Sequence, residues 1–277
     1  MDERVLCLGS GAVTGAAWQL GVLLGLADAG VEVTGADRLL GTSAGSLLAA
    51  HLGLGRSLAQ TRALLWELPI DARVGPLTLA RLAAAQVWPS RRHAVLWLGR
   101  RELARWSTDR AEAWVDTVSP GLIGSAWPAA LVVTATDLLT GRSAWFTADA
   151  GVPLERAVAA STAMPGVFPP VMVDGRPHFD GALRSPANLD LADGCGTVLA
   201  IAPVSYALRR HRRPSEQARV LGRSSRVVLI EPDVTDRALI GANVTDPGRR
   251  DAALRAGRKA GHSRAAEVSE AWSAALP

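Results

Sequence analysis

At 277 residues, 48% hydrophobic and 20% charged, the chain is long enough for one large α/β domain or one and a half smaller ones with a full core, and length alone favours neither. The formal net charge is +4, and Lys259 is the only lysine among 30 basic residues; no nucleic-acid-binding motif accompanies them, so nucleic acid is excluded as a partner. No run of about 20 apolar residues is available to span a bilayer, and the opening "MDERVLCLG" lacks a cleavable-signal layout, so a cytoplasmic protein is expected.

In chain order, "RVLCLG" is a short apolar run ending in glycine and predicts a buried first strand. The glycine-rich turn "GSGAVTG" follows, then a helix over Ala16–Ala29 with Gly30 as its stop. "DRLLGTSAGSLLAAHLGLG" repeats the design: a strand, a tight turn at Gly41–Gly45 and a helix from about Ala44. Two such units argue for a parallel sheet covered by helices. From Arg56 to about Trp127 the pattern turns helical, with six tryptophans among many arginines. Strands return in "AALVVTATDLLTGRSAWFT", with a hairpin at Thr140-Gly141, and in "VMVDGRPHFDGAL", turning at Asp174-Gly175; between them "VPLERAVAASTAMPG" is a helix stopped near Pro165. "GTVLAIAPVS" and "SRVVLIEPD" are later buried strands, separated by the basic loop "LRRHRRPSEQARVLGRSSR". A long amphipathic helix closes the chain.

Three blocks bear chemistry. "GTSAG" fits GxSxG, in which a serine between glycines at a strand-to-helix turn presents its Oγ free of neighbouring Cβ atoms; a helix N-cap serine is the alternative reading. Such a serine needs a base. Ser43 comes too early in the chain for a Ser…Asp…His order built around a preceding sheet, and no context singles out His93, His178, His211 or His262. Asp180 in "HFDGAL" ends a strand and precedes a glycine, so it can serve directly if held within hydrogen-bond reach; a turn or an Asx cap would leave the same trace. The first turn either wraps a phosphate or donates N–H groups to an oxyanion. Its glycines, Gly9, Gly11 and Gly15, miss GxGxxG by one position, and no acidic residue ends the second strand, so the oxyanion is favoured.

In order, "GSGAVTG", "GTSAG" and "DGA", with "TATDLLTGRSAWF" and "AASTAMPGVFPPVMVDGRPHFDGAL" around them, resemble the patatin-like phospholipases, a family of lipid acyl hydrolases with a Ser–Asp dyad. The resemblance implies a single three-layer α/β domain over 1–277, its central sheet mostly parallel with helices on both faces, and a helical cap inserted at about 56–127. It implies Ser43 as nucleophile, Asp180 as its base, Gly41 and Gly45 as the elbow glycines, and Ser10, Gly11 and Ala12 as the oxyanion hole. Ser10 and Ala12 stand where the family has glycines, and Thr14 where it has a cation; the donors survive if φ stays negative. The expected activity is ester hydrolysis on a phospholipid or other acyl ester, with a catalytically silent lipid- or acyl-binding module as the alternative.

No cofactor or metal is expected, because the histidines and cysteines show no ligand spacing. Cys7 and Cys195 read as small buried hydrophobes. The tryptophan–arginine segment suggests peripheral contact with an anionic membrane surface, against the alternative that its tryptophans are core.

Overall fold

Short apolar runs make the strands and longer amphipathic stretches the helices of a computed structural model that describes residues 3–273. β1 (Arg4–Leu8) leads into α1 (Ala12–Asp28), and β2 (Arg38–Thr42) into α2 (Ala44–Gly53). Four helices follow, α3 (Leu58–Glu67), α4 (Pro76–Val87), α5 (Arg91–Leu103) and α6 (Thr108–Val118). The chain returns to the sheet through β3 (Leu131–Asp137) and β4 (Ser143–Phe146), then α7 (Leu154–Thr162), β5 (Val171–Val173) and β6 (Arg176–Asp180). It ends with β7 (Thr197–Ile201), α8 (Pro214–Leu221), β8 (Arg226–Ile230), α9 (Val234–Ile240) and α10 (Arg250–Ser273).

The strands form one eight-stranded sheet in the order β5-β6-β3-β2-β1-β7-β8, with β4 beside β3. β3, β2, β1, β7 and β8 run parallel, while β4, β5 and β6 run antiparallel to their neighbours. Side chains alternate across it. Leu6, Leu8, Leu39, Leu199 and Ile201 join the core formed with α1, α2, α7 and α10. Val5, Cys7, Leu40, Val198 and Ala200 face the opposite way, onto Leu189, Ala192 and Leu221. This is the mixed α/β, three-layer arrangement expected from the repeated strand–turn–helix pattern.

The register of β3 decides the geometry of the site. β2 pairs with β3 as far as Thr42↔Thr134, and β6 begins its pairing at the next residue, Ala135↔Asp180. Because β4 pairs Val133–Thr136 along one edge of β3, β2 and β6 share the other. They approach from opposite directions, and their last residues, Thr42 and Asp180, meet end to end.

α1 and α10 pack closely enough that their backbones touch. A Cβ on Gly21 would lie 2.1 Å from the Leu254 carbonyl oxygen, and one on Gly257 would lie 2.0 Å from that of Trp18.

The tryptophans of the α3–α6 stretch divide. Trp114 is buried, stacks on Phe168 at 3.8 Å between centroids and donates to the Ala159 carbonyl at 3.1 Å. Trp88 and Trp97 stack on each other at 5.9 Å and stay 39% and 38% exposed. Neither an all-core nor an all-surface reading describes the segment.

Two expectations are corrected. α1 starts at Ala12 rather than Ala16, because the Gly15 N–H already bonds to Gly11 O and the glycine lies inside the first helical turn. The "basic loop" contains α8, opened by Pro214 and steadied by Glu216, which pairs with Arg219 at 2.6 Å. Cys7 and Cys195 are buried free thiols, as expected.

Candidate active site

Ser43 joins the C-terminal end of β2 to α2 with φ 57° and ψ −130°, a strained conformation for a residue with a side chain. The two glycines of "GTSAG" make the turn possible. A Cβ on Gly45 would lie 2.1 Å from Leu8 O, and one on Gly41 would lie 2.4 Å from the Ser46 Cα. The strain is held by hydrogen bonds: Ser43 N–H donates to Ser161 Oγ at 2.9 Å, and Ser43 O accepts from Ser46 Oγ at 2.6 Å.

Asp180 is 3% exposed. Its Oδ2 accepts the Ser43 hydroxyl at 2.6 Å and its Oδ1 the Ala182 N–H at 2.8 Å, an Asx-type turn. Its own N–H donates to Ala163 O at 3.1 Å. The C-terminal end of α7 therefore anchors both residues, through Ser161 and Ala163. Burial pushes the Asp180 carboxyl up to about 7, against the lowering effect of the bonds from Ser43 and Ala182. A carboxylate of that basicity is suited to taking a proton near neutral pH.

Beneath the elbow, Thr134 Oγ1 donates to Gly41 O at 3.2 Å, and Asn188 Nδ2 donates to Thr42 Oγ1 at 3.0 Å. Ser161, Thr134 and Asn188 were not singled out by sequence reasoning. Ser161 lies in the quoted "AASTAMPG" block, but a serine on a helix carries no mark of reaching another element.

The N-terminal turn departs from expectation at two points. The Ser10 N–H is taken by Pro186 O at 2.7 Å, so it is not a free donor. Ala12 has φ 49° rather than a negative value, since the chain enters α1 from an extended Gly11 through this single left-handed residue. The Gly11 and Ala12 N–H groups have no acceptor among the described residues. Both residues, with Ser10, Ser43 and Asp180, line a cavity of about 200 Å³. Thr14 is buried, and its N–H and Oγ1 both donate to Val244 O, at 3.0 and 3.2 Å, leaving no cation at this turn.

A second, mostly apolar recess of about 50 Å³ also reaches Ser43, walled by Leu47, Leu65, Leu68, Trp114, Phe168 and the buried Arg250. None of the five histidines bonds to Ser43 or Asp180 among the described residues. His51 is buried beside Arg56, and burial and that cation lower its pKa to about 4. His178 bonds through Nδ1 to Arg176 O at 2.9 Å and meets the edge of Phe146. His93, His211 and His262 are exposed.

A serine on a strand-to-helix turn, met by a carboxylate from a neighbouring strand end, points to one class of α/β protein. The chain belongs to the patatin-like phospholipase family, whose model matches residues 6–193. Among similar proteins are two described as uncharacterized NTE family proteins, from Mycobacterium bovis and Mycobacterium tuberculosis. Each is 32% identical over 197 residues, covering 71% of this chain and 47% of the relative, so the chain spans about half their length. The crystal structure of VipD from Legionella pneumophila has the same fold, with a TM-score of 0.51 at 14% identity over 96% of this chain and 67% of that one.

Proposed function

We propose that the protein is a serine acyl hydrolase acting on phospholipids or related acyl esters. The observation that carries this reading is the 2.6 Å bond from Ser43 Oγ to a buried Asp180 that has no cationic partner among the described residues. Asp180 takes the hydroxyl proton as Ser43 Oγ attacks the ester carbonyl carbon. The carbonyl oxygen becomes an oxyanion within reach of the Gly11 and Ala12 N–H groups, at the positive end of α1. Collapse expels the alcohol, which leaves with the proton from Asp180. Water, deprotonated by the same carboxylate, then attacks the acyl-enzyme and releases the acid and free Ser43. The apolar recess suits the acyl chain and the larger cavity the alcohol half. The reaction as drawn needs no metal or organic cofactor.

Incubation with a fluorophosphonate tests this reading. Labelling at Ser43, abolished in Ser43→Ala, is expected; a folded protein that does not label is instead a lipid- or acyl-binding module.

The same reading extends to the surface. Exposed Trp88 and Trp97, among the arginines of α5, suit an anionic bilayer, because indole prefers the interface and guanidinium meets phosphate. No described helix is long and apolar enough to cross a membrane, so the contact would be peripheral. Sedimentation with phosphatidylglycerol vesicles at low salt is expected to exceed that with phosphatidylcholine, and equal partition would count against it.

A further inference from the structure

The larger cavity holds a charge that the hydrolytic steps leave unused. The segment "LRRHRR", Leu208–Arg213, carries four arginines, of which Arg212 lines this cavity. Three are engaged. Arg209 donates to the carbonyl oxygens of Trp88 and Pro89. Arg210 pairs with Glu216 at 3.4 Å. Arg213 donates to Ala207 O at 2.8 Å and lies 4.8 Å over the Tyr206 ring. Arg184 also lines the cavity, but Asp190 and Asn188 hold it; its Nη1 bonds are 2.8 and 2.7 Å.

Arg212 is different. It lines the same cavity as Ser43 and Asp180, is half-buried, and its side chain makes no hydrogen bond or ion pair among the described residues. Burial, together with Arg209 and Arg184, pushes its pKa down, and no carboxylate acts the other way. A partly desolvated cation beside two others is costly unless an anion completes the site. The mostly apolar recess that also reaches Ser43 is lined by a guanidinium too, but Arg250 is already held by the Trp66 and Leu68 carbonyl oxygens at 2.9 and 2.8 Å, so the uncommitted charge of Arg212 marks the alcohol side of the ester. Arg212 lies beyond the segment 6–193 matched by the family model.

We propose that Arg212 is a specificity residue that binds a phosphate on the alcohol half of the substrate, selecting acyl esters of phosphorylated alcohols over neutral ones. The guanidinium presents paired N–H donors that match two phosphate oxygens, and the bond is charge-assisted. This inference rests on the hydrolase reading for the placement of the alcohol.

The test compares 1-acylglycerol 3-phosphate with 1-acylglycerol of the same chain length, as monomers. The wild type is expected to favour the phosphate ester in kcat/KM by about tenfold or more, the scale of one charge-assisted contact. Arg212→Gln loses the preference chiefly through KM, and Arg212→Lys restores part of it, which a merely structural role would not do. An unchanged preference in folded Arg212→Gln overturns the proposal, as does a wild type that favours the neutral ester. Calorimetric binding of both lipids to Ser43→Ala, with and without Arg212→Gln, separates this proposal from the hydrolase reading. A phosphate preference that depends on Arg212 in this binding assay, with no turnover of either ester by the wild type, leaves the subsite standing and removes the enzyme. Turnover without that dependence does the reverse. Inorganic phosphate is the competitor: inhibition of the phosphate ester alone supports the subsite, and equal inhibition of both esters overturns it.

Discussion

Ser43 and Asp180 lie 137 positions apart in the chain, yet their side chains meet at 2.6 Å because β2 and β6 end at adjacent residues, Thr134 and Ala135, on the same edge of β3. A parallel strand and an antiparallel strand that share one edge must run tip to tip. Gly181 makes the junction possible, since a Cβ there would lie 2.2 Å from Thr134 Oγ1.

If that contact is catalytic, Ser43→Ala and Asp180→Asn each lower kcat/KM for a p-nitrophenyl ester by about 10³-fold or more, the scale seen when a nucleophile or its base is removed. Circular dichroism should show both variants folded. Activity within about tenfold of wild type in either would remove that residue from the mechanism.

The basicity of Asp180 sets a pH profile. With the folded pKa raised to about 7, the fraction of base falls about tenfold per pH unit below neutrality, so kcat/KM should rise with pH and level off above about 7. A profile flat from pH 5 to 8 would contradict this.

The same shift has a stability consequence of opposite sense. Because the folded pKa lies above the ordinary 3.8, the folded state binds the proton more tightly than the unfolded chain does. The contribution is intact below about pH 4 and is lost as pH rises through about 7. Asp180→Asn removes that loss, so its gain in stability over wild type should grow from near zero at pH 4 to about 2–4 kcal/mol at pH 8, measured by urea denaturation.

Ala12 holds a left-handed backbone that costs a residue with a Cβ about 1 kcal/mol. Ala12→Gly should therefore raise the unfolding free energy by about 0.5–1 kcal/mol, seen as a higher denaturation midpoint, while keeping the N–H donor and ester hydrolysis. A drop in stability would mean that the added freedom of the unfolded chain outweighs the relief of strain.

Ser161→Ala leaves the buried Ser43 N–H without its acceptor. The expected cost is about 1–3 kcal/mol, with a fall in kcat larger than any change in KM, since the elbow loosens before the substrate contacts do. Chemical denaturation and steady-state kinetics on one preparation check both.

The sequence by itself determined most of the elements and the residue types of the candidate site. Apolar runs bounded by glycine marked the strands, and GxSxG marked the elbow, because steric demands at a sharp turn leave local traces. "DGA" marked a carboxylate at a strand end for the same reason. Tertiary structure alone decided what those pieces meet. The head-to-head register on β3, Ser161 reaching across to Ser43, Pro186 O taking the Ser10 N–H, and Arg212 brought to the cavity of Ser43 and Asp180 all join residues distant in the chain. Such contacts depend on how the layers stack, and stacking is a property of the whole core that no short stretch records.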